Sequence, residues 1–175
     1  MTQNVPDFSE LLRGAERTAI HLEMRDVYSV GDETADFEQF KRTGVHPDAD
    51  PATADWGGWV SLVRETVGRG VVMRRARIVS EPVTDYIRFE HASTPVNLAA
   101  GELVRWLPRS RASDLMLPGN DLWLIDDRRV LFHWFTGDGD WAGHEFNEDP
   151  DVVKLVSAAF EAVWERGVPH EQYTV

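Results

Sequence analysis

Apolar residues recur along this chain with two periods, and the switches between them outline its elements. Phe8, Leu11, Leu12 and Ala15 share one face of a helix over 7–15, with Asp7 and Glu10 at capping-box spacing. Residues 18–25 alternate like a short strand: Ala19 or Ile20, Leu22 and Met24 stand against His21, Glu23 and Arg25. Phe37 and Phe40 fit a short helix over 32–41, and two prolines and two aspartates make 44–51 a loop. Trp56, Trp59, Val60, Val63 and Val67 recur at helical spacing over 55–67; Asp55 caps that helix and Gly68 and Gly70 end it.

A strand is predicted over 71–80. Pro82 then opens a helical stretch over 83–94, Pro95 breaks it, and a further turn runs to Gly101. Strands follow at 103–107, 122–125, 130–135 and 141–146, with a loop at 109–120 and a tight turn at 126–128. The last helix is capped by Asp149, has Pro150 in its first turn and ends at Gly167 after Arg166. Its stripe is Val152, Val156, Ala159, Phe160 and Val163. The order β, α, β, α, β, β, β, α, with 141–146 as a further short strand before the last helix, predicts an α/β fold, a single-domain sandwich over residues 1–175 with a central mixed sheet flanked by helices.

Composition narrows the functional classes. With 175 residues, 42% of them apolar, the chain can build a core and is not disordered. No run approaches the ~20 apolar residues of a membrane span, and the N-terminus lacks a signal peptide's basic start and apolar stretch. No membrane association and a cytoplasmic location are therefore expected. Without cysteine there are no disulfides, thiolate metal sites or thiol nucleophiles. A net charge of −12 opposes phosphate contacts, so no direct nucleic-acid binding is expected, while a partner with a basic face is favoured. The simplest role of that charge is solubility.

The strand at 71–80 holds the most unusual pattern. Period two puts Met73, Arg75 and Arg77 on one face and Val72, Arg74, Ala76 and Ile78 on the other. Arginines turned toward a core need partners, and the following helix offers Asp85, Arg88, Glu90 and His91. Arg77 and Arg88 are expected to pair with Glu81, Asp85 or Glu90, fixing the helix on the sheet. The same segment also supports a polar pocket that binds an anionic group through Arg75, Arg77 or Arg88.

None of the six histidines forms the i, i+4 pair of a helical zinc site, and Gly137-Asp138-Gly139-Asp140 lacks the rest of a calcium loop. No metal and no cofactor are assigned. Nucleophile elbows, phosphate loops and dinucleotide fingerprints are absent from the sequence, and no catalytic residue is assigned. Most of the seven tryptophans suit a core, but Trp134 and Trp141, if exposed, would anchor a protein partner.

Several stretches resemble an uncharacterised actinobacterial family: His21-Leu-Glu-Met-Arg-Asp, the run from Arg74 to His91, Ala100-Gly-Glu, Arg105-Trp-Leu-Pro-Arg and Leu117-Pro-Gly-Asn-Asp-Leu-Trp-Leu-Ile-Asp. That resemblance implies genes beside helix-turn-helix regulators and small acidic companion proteins. The C-terminal half also resembles one half of the phospholipase D-like fold, in which a His-x-Lys strand precedes an Asp. With Asp126 in that place, the His and Lys positions are Gly119 and Asp121, so the resemblance implies a degenerate, non-catalytic copy.

The expected function is thus a non-enzymatic regulatory protein that binds a protein partner, either a helix-turn-helix regulator or a small companion protein. The candidate contact residues are Arg75, Arg77, Asp85, Arg88, Glu90, His91, Trp134 and Trp141. The alternative is a hydrolase or nucleotide-processing enzyme with a polar pocket around residues 74–91, to which His21 and Glu23 would also contribute. Convergence of these groups on one concave pocket would support that alternative.

Overall fold

The computed structural model describes residues 7–29 and 31–175. Its centre is a mixed sheet of seven strands: β1 (Thr18–Glu23), β2 (Val72–Val79), β3 (Leu103–Pro108), β4 (Asp121–Ile125), β5 (Arg129–Phe135), β6 (Trp141–Asn147) and β7 (Val168–Pro169). Their order is β6-β5-β4-β1-β2-β3-β7. β1, β2 and β3 run parallel, while β4, β5 and β6 continue from β1 as an antiparallel meander. β7, two residues long, lies antiparallel on the β3 edge. Nothing in the local pattern predicts it: Val168 and Pro169 carry too little alternation, and the pairing follows from where the last helix ends.

Helices cover both faces. One face receives α1 (Phe8–Arg13), α2 (Thr34–Thr43), α3 (Trp59–Gly68) and α4 (Asp85–Ala100); the other receives α5 (Pro150–Arg166). Strand alternation divides the core accordingly. Ala19, Met73, Trp123, Ile125 and Leu131 pack with Leu11 and Leu12 of α1, Val60 and Val63 of α3, and Val96 and Ala100 of α4. Ile20, Leu22, Ala76, Ile78, Leu122, Leu124 and Val130 pack on Val153, Val156, Phe160 and Val163 of α5. A third cluster joins Val79, Val104 and Trp106 to Tyr86, Ile87 and Phe89 of α4 and to Tyr173. No helix among the described residues is long and apolar enough to cross a membrane.

Two boundaries differ from the sequence reading. α3 begins at Trp59 rather than near Asp55, because Trp56, Gly57 and Gly58 all adopt positive φ. Asp55 still caps the element from a distance, its carboxylate accepting from the Ser61 N–H at 2.9 Å. α4 runs unbroken through Pro95. A proline inside a helix costs about 3 kcal/mol, but Val96 and Ala100, just beyond it, are fully or nearly buried between the sheet and α3, and their packing keeps the helix whole.

Candidate functional site

The pairing of β1 with β2 sets His21 opposite Arg75 and Glu23 opposite Arg77. All four lie on the α1–α4 face, one step beyond the apolar pair Ala19 and Met73. This charged strip is buried under α4. Glu23 Oε2 accepts from Arg77 Nε at 2.7 Å and from Arg75 Nη1 at 3.2 Å. Arg75 Nε donates to Glu102 Oε1 at 2.8 Å, and Asn97 Nδ2 donates to Glu102 Oε2 at 2.8 Å. Arg77 Nη2 pairs with Glu90 from α4.

Glu102 reaches this position because Gly101 ends α4 at a φ of 102°. A Cβ there would also stand 2.8 Å from Val67 Cγ1, so only glycine fits. Around this core, the Tyr86 hydroxyl lies 2.9 Å from Glu33 Oε2 and 3.2 Å from Glu90 Oε1. The Tyr28 hydroxyl donates to Asp121, whose other oxygen accepts from the Met24 N–H at 2.9 Å.

Burial and pairing compete in setting the charges. For Glu23, burial disfavours the anion, but Arg77 and Arg75 outweigh it and hold the carboxyl well below its ordinary range. Burial likewise opposes the Arg75 and Arg77 cations. Glu102 and Glu23 at Arg75, and Glu23 and Glu90 at Arg77, reverse that and raise both. His21 is driven well down, chiefly by burial, and is neutral. Glu33 has no arginine so close; burial and then the nearby Glu90 raise it to about 7. Burial raises Asp121 to about 6 and lowers His133 to about 4.

Above the strip opens a cleft of about 660 Å3. Phe8, Trp59 and Trp123 form one aromatic wall, with Trp59 edge-on to Trp123 at 5.9 Å between ring centres. His46, stacked on Phe89 at 4.3 Å, forms another. Carboxylates of Glu33, Asp36, Asp48 and Glu90 also line the space. A second chamber of about 380 Å3 shares His21, Glu33, Arg75, Arg77 and Glu90, and extends to Tyr28, Asp121, His133 and Trp141. The Arg77 guanidinium packs over the Trp106 ring at 5.1 Å and the His21 ring on Trp123 at 4.2 Å, and two nitrogens of these lining residues lie behind the surface without a hydrogen-bond partner, Arg77 Nη1 and His21 Nδ1. The latter lies 4.0 Å from Glu23, beyond hydrogen-bond reach. Among the described residues no three His, Asp or Glu side chains are gathered so as to hold a metal ion.

The candidates named from sequence therefore separate. Arg75, Arg77 and Glu90 converge with His21 and Glu23. Arg77 pairs with Glu90, while Arg88 makes only an exposed contact with Asp85 at 3.4 Å and a bond to the Val83 carbonyl at 3.0 Å. Asp85 and Arg88 thus lie outside the cleft, because helical rotation turns their side of α4 toward solvent. His91 faces away from it too, accepting from or donating to the Tyr173 carbonyl beside His170 and Trp106.

Trp134 and Trp141 are 40% and 51% exposed but do not form one patch. Trp141 meets His133 and Phe135 on the cleft side, whereas alternation along β5 turns Trp134 to the opposite face. Sequence reasoning missed Glu102, Asn97, Trp123, Glu33 and Asp121 as site residues. Glu102 and Asp121 lie in stretches that resemble the family, which was the one signal available for them.

Asp126, which stands where the phospholipase D-like pattern has its Asp, has a structural task here. At φ 56° it accepts from the N–H groups of Glu16, Arg17 and Thr18 at 3.0, 2.7 and 3.0 Å, pinning the start of β1 to the β4–β5 turn.

A family model described as Domain of unknown function (DUF6879) matches residues 6–175. The chain belongs to the DUF6879 family. No curated protein matches this sequence. Among solved structures, the phospholipase D family member Nuc from Salmonella typhimurium is similar at a TM-score of 0.50 and 10% identity, over 92% of this chain and 86% of Nuc. NucT from Helicobacter pylori matches at 0.48 and 12%, over 92% of this chain and 87% of NucT.

TrmBL2, described as an archaeal chromatin protein with a novel mode of DNA binding, matches at 0.49 and 14% over 91% of this chain. The DUF6879 chain spans about half the length of TrmBL2, 47% of it. The phospholipase D-like likeness is one of fold, and it extends over nearly the whole DUF6879 chain rather than its C-terminal half. The expectation that nucleic acid is not contacted directly rested on net charge alone and is withdrawn. Net charge sums over a whole surface, whereas a contact is made by one face of it.

Proposed function

We propose that this protein is a non-enzymatic binding module whose cleft takes a small, flat, polar molecule. The observation that carries the reading is the 660 Å3 cleft itself, in which the half-buried rings of Trp59 and His46 stand with Glu33, Asp36 and Asp48 over a buried charge network. The cleft's volume lies in the range of small-molecule pockets.

Binding is favoured over chemistry because the charged groups hold one another. Glu23, Arg75, Arg77, Glu90 and Glu102 are bonded to one another, so general acid–base work would rest chiefly on Glu33, which is raised to about 7 in the same lining. A part in regulation, which the resemblance to proteins encoded beside helix-turn-helix regulators implies, agrees with a sensing cleft. A protein partner gripped by Trp134 and Trp141 has less support, since the two rings belong to opposite faces.

The test is a melting-temperature screen against polar heterocycles, sugars and amino acids, with tryptophan fluorescence as the second readout. At a hundredfold excess over its Kd a ligand stabilises by about 2.7 kcal/mol, or roughly 5–10 °C for a chain of this size. Trp59→Ala, which removes part of one wall, should abolish that shift. A screen in which no compound raises the melting temperature or changes the fluorescence at millimolar concentration refutes the reading.

A further inference from the structure

The lining of the cleft specifies more than small and flat. It combines the half-buried rings of Trp59 and His46, backed by the buried Trp123 and Phe89, with a floor of paired charges. Its rim carries acceptors. Glu33, Asp36 and Asp48 line the space without any arginine bonded to them, whereas both arginines of the floor are already neutralised by Glu23, Glu90 and Glu102. The local balance of charge is therefore negative. A phosphate or carboxylate would meet repulsion at the rim and find no free cation to pair with. A group with N–H donors would find acceptors there.

We propose that the cleft recognises an amino-bearing nucleobase, stacked on the Trp59 and His46 rings with its exocyclic amine toward the acidic rim. This rests on the small-ligand reading above and narrows it to one chemical class. Base–aromatic stacking accepts any base, so discrimination falls to the rim. Adenine, cytosine and guanine carry an exocyclic amine that uracil and thymine lack. The base can come from a free nucleoside or from a nucleotide in a single strand, and both present the same edge. A free nucleotide with terminal phosphates is the disfavoured form, because it brings a dianion close to the carboxylates.

The experiment titrates the full chain with adenosine, cytidine, guanosine and uridine, with adenosine triphosphate, and with short single-stranded oligo(dA) and oligo(dT). Binding is followed by tryptophan fluorescence and calorimetry. At least one amino-bearing nucleoside should bind tenfold or more tighter than uridine, and adenosine triphosphate should bind more weakly than adenosine. Asp36→Asn, checked for an unchanged melting temperature, should shrink the preference over uridine; if it does not fold, Asp48→Asn serves.

If oligo(dA) exceeds adenosine while oligo(dT) does not bind, the base is taken from a strand; if the nucleoside binds as well as the strand, the free form suffices. Either result upholds the proposal. Equal binding of uridine, or tightest binding by the triphosphate, overturns it. If no nucleoside or oligonucleotide binds while another compound in the melting screen does, the nucleobase assignment falls and the small-ligand reading stands. If nothing binds in either assay, both fall.

Discussion

Removing the Glu102 carboxylate tests whether the buried charge network holds this fold together. Glu102 is 1% exposed and takes two short hydrogen bonds, from Arg75 Nε and Asn97 Nδ2, each at 2.8 Å. Glu102→Ala takes away half of the Arg75 pairing and leaves the Asn97 amide without an acceptor. Breaking a buried ion pair from one side costs about 3–5 kcal/mol. Glu23, which stays 3.2 Å from Arg75 Nη1, limits the stranding, while the orphaned Asn97 donor adds about 1–3 kcal/mol. The expected loss is therefore roughly 3–5 kcal/mol, or about 6–20 °C in melting temperature for a chain of this length.

Urea unfolding followed by circular dichroism and tryptophan fluorescence gives the free energy directly. The decisive companion is the double replacement Arg75→Met with Glu102→Met. A buried ion pair exchanged for apolar side chains of similar volume is often neutral or stabilising, so the double variant should be more stable than Glu102→Ala alone. The two sites touch, so their effects should not add. If Glu102→Ala unfolds within about 0.5 kcal/mol of wild type, or if the double variant loses the sum of the single losses, the network does not carry the load assigned to it.

Three further outcomes follow from the same geometry. Glu33 keeps its proton in the folded state up to about pH 7 but releases it near 4.5 when unfolded, so its own contribution to stability falls as pH rises between those values. Burial lowers His21, His46, His91, His133 and His170, whose contributions rise with pH below about 6.5, so the test is the difference between variant and wild type: Glu33→Gln should gain stability relative to wild type as pH rises from about 4.5 to 7, and a difference that does not change with pH would show that Glu33 is not the group. Asp126→Ala strips three backbone N–H groups of their acceptor and forces alanine into positive φ, which should cost roughly 2–4 kcal/mol in urea unfolding. Arg88→Ala, by contrast, removes a side chain that is 42% exposed and paired only within its own helix, so its unfolding free energy should stay within about 1 kcal/mol of wild type.

The fold was largely legible because hydrophobic period is a local property. Met73, Arg75 and Arg77 share a face by alternation alone, and the stripe on α5 follows from Val156, Phe160 and Val163 without any knowledge of the sheet beneath them. Where local signals conflicted with packing, packing prevailed. Pro95 reads as a helix end, yet Val96 and Ala100 beyond it have a core to enter, and the chain gains more by burying them than it loses at one missing N–H.

The site was legible only in part, for a related reason. That Arg75 and Arg77 needed acids could be inferred from the cost of burying a guanidinium, but which acids answer depends on strand order. Glu23 is supplied because β1 pairs in parallel with β2 and brings position 23 opposite position 77; Glu102 is supplied because Gly101 turns the chain back under α4. Neither separation, 54 residues for Arg77 and 27 for Arg75, leaves a periodic trace in the sequence.

Asp85 and Arg88 are the converse case: near in sequence to Glu90, rich in charge, and on the wrong side of the helix. Phase along α4 decides which of these groups face the cleft. Residues 86, 90, 93 and 97 follow one another by three or four and all take part in the buried network or line the cleft, while 85 and 88 fall on the opposite side. A charged helix in an otherwise apolar setting should therefore be read by phase before it is read by composition, since the acids that matter are those that share a face with its buried tyrosine or asparagine.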